Sequence, residues 1–405
     1  MKSRPRISFT LFALLAWFPS SAAAQSHFIR RLDGTKLSPE NAAKIADAEL
    51  RDDRITGAQI SILNDGRVVW IHTWGLRNEE KHLPMTLQTN TWAASITKPL
   101  FATWVMKQVE QHRVELDQPI AQLLERPLSD YPEYGAAADE LVRDPRWQHV
   151  TVRMMLDHTS GLANLLYLEE DRKLHLHFDP GTRFAYSGEG LNILQVALEH
   201  RFRESLQDAM QQEIFAPLHM NRTGMVWRPD FDADSALRYD ATGRFIAANH
   251  RDKARGAGSM TTSIIDLDRF LEAFLANRIV QPATRAQMLT PQIAIHSSNE
   301  FPSLDNNPGT EGEQVGLSYG LGWGLLTRTR YGPAFFKEGH GDGAENYLIC
   351  FTRSRICMAI LTNSDNGELA FRPLLEQLIH DDVTPWEWEG YTREDVLHNA
   401  EHTAQ

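Results

Sequence analysis

Apolar and polar positions alternate near both ends of this chain and return every three or four residues between them. Gln59 to Leu63 and Arg67 to Trp74 alternate around Asn64-Asp65-Gly66, which predicts an antiparallel hairpin. Further strands are predicted over Tyr319 to Thr327, Ala334 to Lys337, Asn346 to Phe351 and Ile356 to Thr362. Helical spacing runs over Pro39 to Leu50, Thr97 to Gln111, Gly190 to Arg201, Glu204 to Phe215, Ile264 to Leu275 and about Glu368 to His380. Pro99 is tolerated only in a first helical turn, so Ser95 falls at a helix N-terminus.

With strands at both ends and helices between, the expected fold class is α+β. An antiparallel sheet drawn from N- and C-terminal segments is flanked by helices and carries an inserted, mostly helical region. The sheet part spans about 40–90 and 315–380, the helical part about 91–314, and together they form one unit within 25–385. The acidic tail at 386–405, with Trp386 and Trp388, either packs back or frays.

Composition adds compartment and charge. The chain has 405 residues and 42% hydrophobic content, ordinary for a globular protein. Lys2, Arg4 and Arg6 precede an apolar run from Ile7 to Phe18, and Ala22-Ala23-Ala24 follows, which predicts a secretory signal peptide at 1–24. An uncleaved anchor is the other reading, but the apolar run falls short of the roughly 20 residues of a membrane-spanning helix. Cleavage takes the formal net charge from −12 to −15. An exported, periplasmic or secreted protein without an integral membrane segment is expected, and the negative charge argues against nucleic acid as a partner. The two cysteines, Cys350 and Cys357, face each other if Arg353-Ser354 is a turn; they form a disulfide or remain two buried thiols.

Three segments carry candidate chemistry. Ser95-Ile96-Thr97-Lys98 sets a hydroxyl and an amine one helical turn apart, on one face, as a serine nucleophile with a nearby proton acceptor requires. Alone, the same spacing fits a serine cap beside a solvated lysine. Tyr186-Ser187-Gly188 presents a phenol just before a helix, a second proton carrier or a packed tyrosine. In Gly339-His340-Gly341-Asp342-Gly343 the glycines permit close approach of substrate to a strand. The sixteen histidines include no H-E-x-x-H or comparable spacing, so neither a metal nor any other cofactor is expected.

The three segments in this order resemble the serine β-lactamase and penicillin-binding family, in the branch with class C β-lactamases, D-alanyl-D-alanine carboxypeptidases, D-aminopeptidases and β-lactamase-like esterases. Val150 to Leu162 (with His158-Thr159-Ser160-Gly161), Ile214 to Met220, Gly256 to Thr262 and Tyr319 to Trp323 match its recurring segments, and the resemblance covers about 40–375. It implies that Ser95 is the nucleophile and that Lys98 takes its proton or keeps Tyr186 poised. It implies an oxyanion hole of the Ser95 and Gly343 backbone N–H groups, and substrate contacts from His340 and Gly341, with His340 in the place of the family's Lys or His. His158 is implied to be structural. Two departures, Gly188 where relatives carry Asn and Asp342 where they keep glycine, argue against a dedicated β-lactamase. The expectation is a serine hydrolase that acts through an acyl-enzyme on a small-molecule or peptide substrate: an ester, an amide or a β-lactam. Esterase or D-aminopeptidase-like chemistry is favoured over a β-lactamase or carboxypeptidase proper. A non-catalytic sensor or binding protein is the rival from another class.

Overall fold

The computed structural model describes residues 28–394 and 396. The expected signal peptide and the end of the acidic tail lie outside the described residues. Nine antiparallel strands form the central sheet: β1 Gly57–Asn64, β2 Arg67–Asn78, β3 Leu83–Pro84, β4 Ile293–Ala294, β5 Leu317–Tyr319, β6 Gly324–Leu326, β7 Ala334–Gly339, β8 Asn346–Phe351 and β9 Ile356–Thr362. Their spatial order is β4-β5-β6-β7-β8-β9-β1-β2-β3, so the N- and C-terminal segments meet where β9 pairs with β1. The helices used below are α1 Pro39–Asp52, α2 Thr97–Glu110, α3 Gly188–Phe202, α4 Ile264–Leu275 and α5 Gly367–Ile379.

Period-two alternation decides what each face of the sheet buries. Ile356, Met358 and Ile360 of β9 join Ala58, Ile60 and Ile62 of β1 in a core under α1 and α5. Cys357, Ala359 and Leu361 face the other way, into a larger core shared with α2, α4 and the helical region. The two strands of the N-terminal hairpin are joined by Asp65-Gly66, both at positive φ (53° and 72°), the turn whose twist suits a hairpin. Cys350 pairs directly with Cys357 across β8 and β9, and the two form a disulfide.

The sequence-predicted elements are present, with three differences. The run Tyr319 to Thr327 is two short strands, β5 and β6, because Gly320 to Trp323 form the turn between them. Glu204 to Phe215 is a short helix, Leu206–Met210, whose continuation Gln211–Phe215 widens into a π-helical turn. From the acidic C-terminal segment, Trp386–Glu389 forms a short helix packed back on the sheet, with Trp388 buried between Phe184 and Phe336. Among the described residues no helix is long and apolar enough to cross a membrane.

α2 has no solvent face over its first three turns. Every residue from Thr97 to Met106 is buried, so a lysine at its second position has no route for its ammonium to water. β7 outruns its neighbour β6: pairing with β6 stops at Phe336, and Lys337 to Gly339 are paired only with β8. Their free side faces the turn that carries Ser95.

Candidate active site

Ser95 sits in a tight turn, Ala94–Ile96, that feeds directly into α2. Ala94 adopts φ +44°, a left-handed conformation that costs an alanine on the order of 1 kcal/mol and is held here by the surroundings. The surroundings are specific. Thr97 Oγ1 donates to Ala94 O (2.6 Å), Met260 N donates to Thr97 Oγ1 (3.1 Å), and Ala93 N donates to Met260 O (2.9 Å). The segment Ala257 to Thr262 thus straps the turn and leaves the serine half-buried at the floor of a cleft of about 990 Å³.

Lys98 Nζ donates to Ser95 Oγ at 2.8 Å and to Ala257 O at 2.7 Å. Burial pushes its pKa well below the usual lysine range, neighbouring Lys337 pushes it further, and Glu300 opposes both. Neutral Lys98 is therefore the form the site favours, and a neutral amine can accept a proton. The amine also lies 4.8 Å from the ring centroid of Tyr186.

Tyr186 precedes α3, whose N-cap is Ser187: its Oγ accepts from Gly190 N at 3.0 Å. Ser187 N donates to His158 Nδ1 (3.1 Å), and the His158 ring packs 4.5 Å from the Tyr186 ring and 4.7 Å from that of Tyr319. Burial holds His158 well below the usual histidine range, so it is a neutral prop for the tyrosine, as expected of that segment. The Tyr186 hydroxyl is buried beside Ser95. Burial, with Tyr319 and Glu300 nearby, raises its pKa well above that of a free phenol, and Ser95 offsets only part of this. The phenol stays protonated.

The third segment lies differently from its sequence reading. The side chain that reaches the Tyr186 ring from the sheet is Lys337, fully buried, with Nζ 4.6 Å from the ring centroid and an ion pair to Glu338. Burial lowers its pKa to about 7 against the opposing pull of Glu300 and Glu389. Gly339 closes the approach: a Cβ there would stand 2.6 Å from Ala93 O, so no larger residue fits between β7 and the serine turn. His340 and Gly341 line the cleft as expected, Gly341 packed against the Trp92 ring. The His340 ring, however, turns to Glu368 and Glu345, which hold its pKa well above the usual range.

Gly343 is placed away from an oxyanion. Its N–H already donates to the Asp365 carboxylate, and its Cα faces Arg238 and Tyr239. Asp342 lies out in the exposed loop, with its carbonyl accepting from Arg238 Nη1 at 2.6 Å, so it does not crowd the strand. The acid on the strand is Glu338. At the second departure, Asn164 Oδ1 accepts from Gly188 N (3.0 Å), so an amide from another loop stands beside the glycine and lines the cleft.

Sequence reasoning did not find Lys337, Glu300 or the C-terminal wall. Glu300 is buried, its N–H donates to Trp388 O (2.8 Å), and the field of both lysines acts on its carboxyl. Glu389 accepts from Tyr347 Oη (2.8 Å) and lines the cleft with Trp388 and Tyr391. A Lys-x-Gly three residues ahead of His340 was the available signal for Lys337; Glu300 had none. Arg172, Arg251, Lys253 and Arg255 line the cleft as well, among acids that include Glu133, Glu189 and Glu338.

Residues 42–380 match the family model described as beta-lactamase. The chain is 28% identical to esterase EstB of Burkholderia gladioli over 48% of this chain and 55% of that protein. It spans 64% of "Probable fimbrial assembly protein FimD, serogroup H1" of Dichelobacter nodosus, at 23% identity over 60% of this chain. In fold it is similar to the octameric penicillin-binding protein homologue from Pyrococcus abyssi, with a TM-score of 0.66 at 23% identity over 84% of this chain and 77% of that one. The buried lysine against the serine, the phenol above it and the match across most of the sequence agree, and the chain belongs to the β-lactamase family.

Proposed function

We propose that this protein is an exported serine hydrolase that forms and hydrolyses an acyl-enzyme at Ser95. The observation that carries the reading is the 2.8 Å contact between Ser95 Oγ and a lysine whose burial favours the neutral amine. In this reading Lys98 takes the Ser95 proton as Oγ attacks the substrate carbonyl carbon. The developing oxyanion is met by backbone N–H groups of Ser95 and of His340, the residue after the glycine that touches the serine turn. Tyr186, held protonated, passes a proton to the leaving group as the C–O or C–N bond breaks, and Lys98 returns its proton to the phenol. Water then repeats the sequence on the ester and frees Ser95. Lys337 takes the orienting role that the resemblance gave to His340.

The cleft is lined by both acidic and basic side chains, which supports substrates with opposite charges or none, such as short esters and amino-acid or peptide derivatives, over an anionic β-lactam. The Cys350–Cys357 disulfide supports export, since such bonds persist in oxidising compartments. The test is time-resolved intact mass of the protein mixed separately with a short p-nitrophenyl ester and a penicillin, with Ser95→Ala as control. An ester adduct that appears and decays on the wild type alone is expected, and Lys98→Ala should slow its formation about 10²- to 10⁴-fold. A stable adduct without turnover would replace the hydrolase reading by a sensor, and no adduct from either compound would overturn acylation at Ser95.

A further inference from the structure

The loop joining β7 to β8 carries a polar side chain at each end. His340 follows Gly339 and Glu345 precedes Asn346, the pair that closes the ladder. Glu368 comes from the first turn of α5, packed beneath β8. His340 Nδ1 lies 2.8 Å from Glu368 Oε1 and 3.0 Å from Glu345 Oε2, and one ligand atom from each residue falls within 4.8 Å of the other two.

Hydrogen bonding leaves this cluster incomplete. An imidazole Nδ1 carries at most one hydrogen, and here two carboxylate oxygens stand within 3.0 Å of it. Glu345 Oε2 is buried and shares that nitrogen with Glu368, at 3.0 Å against 2.8 Å. Glu345 is 2% exposed and Glu368 7%, so two buried carboxylates meet a single imidazole that is itself open to the cleft.

We propose that His340 Nδ1, Glu345 and Glu368 form a binding site for a divalent transition-metal ion of the zinc type at the margin of the Ser95 cleft. Ligand atoms around a tetrahedral zinc ion with bonds of about 2.0–2.1 Å stand roughly 3.3 Å apart. The observed 2.8 and 3.0 Å need to widen by only a few tenths of an ångström. One nitrogen and two carboxylate oxygens suit zinc better than magnesium or calcium, which take oxygen alone. A divalent ion with a neutral imidazole and two carboxylates makes the site neutral as a whole. Three protein ligands leave a coordination position open. His340 and Glu368 line the cleft and Glu345 does not, so that position faces the cleft, where it takes an anionic group of a bound molecule. Residues 340, 345 and 368 have no local metal-ligand spacing, and only the hairpin and α5 bring them together.

The site does not depend on acylation, so its test uses Ser95→Ala protein without a tag, stripped with chelator and titrated calorimetrically with zinc chloride. One equivalent binding at micromolar concentration or below is expected, with magnesium chloride giving no saturable heat. Glu345→Gln and His340→Ala, each checked for an unchanged thermal midpoint without metal, should weaken zinc binding at least about tenfold. If Glu345→Gln fails to fold, Glu368→Gln takes its place. Absence of a saturable equivalent overturns the proposal. So does zinc binding that survives these substitutions and is lost in His175→Ala, since Glu140, Asp171 and His175 form a second, surface cluster.

Discussion

Lys98 Nζ and Lys337 Nζ stand 4.8 and 4.6 Å from the centre of the Tyr186 ring, and two ammonium groups so close in a dry site cannot both stay charged. Glu300, whose own pKa is pushed up by burial to about 7 against the field of the two lysines, opposes their loss of charge when it is ionised. Glu300→Gln therefore lowers the pKa of both lysines further. The acidic limb of the pH dependence of kcat/KM, which reports Lys98 losing its proton, should move to lower pH. An unmoved limb in a folded variant would show that Glu300 does not act on the base. Ser95 and Lys98 were legible in sequence because their separation is local to one helix. Lys337 was not, because glycines at 339, 341 and 343 offer several registers to a Gly-x-Gly reading, and only the contact of Gly339 with Ala93 selects one. Which of Lys98 and Tyr186 takes the proton was open in sequence, because burial bears on it, and burial is a property of the packed α2.

At the scale of elements, periodicity located the helices and long strands well and the short ones poorly. A two-residue strand such as β4 has no period to detect, and the Gly320 to Trp323 turn is hidden inside an apolar run. The joint between β1 and α4 was also invisible: Ser61 Oγ donates to Asp268 Oδ1 at 2.5 Å, across 207 residues. Burial raises the Asp268 pKa to about 8, against the hydrogen bond from Ser61 that lowers it. The native state thus holds a proton that the unfolded chain releases near pH 4. This contribution to stability is present in full below pH 4 and shrinks as pH rises to about 8. Asp268→Asn removes that slope. Denaturant melts should show the variant gaining on the wild type by roughly 3–4 kcal/mol between pH 5 and pH 8. Parallel pH profiles for the two proteins would mean that Asp268 is ionised in the fold.

The whole molecule closes its cleft with segments distant in sequence: the turn at Ser95, the strap at Ala257 to Thr262, the loop at Glu300, the end of β7 and the segment from Trp388 to Tyr391. The sheet of N- and C-terminal segments with inserted helices was legible, because strand and helix periods separate cleanly along the chain. The role of the C-terminal segment was not, since an acidic stretch with two tryptophans reads equally as a loose tail. Trp388 is 1% exposed, so Trp388→Ala should cost about 3–5 kcal/mol in denaturant melts and depress turnover as the wall beside Glu300 loosens. A loss below 1 kcal/mol would show that the segment is only draped over the sheet. The Trp388 carbonyl that receives the Glu300 N–H bears on timing. Translation is vectorial, and residues 388–391 are synthesised after every other residue that lines the cleft. A chain can build its sheet and set Ser95 against Lys98 while the cavity still lacks a side, and the cleft is complete only when this segment docks.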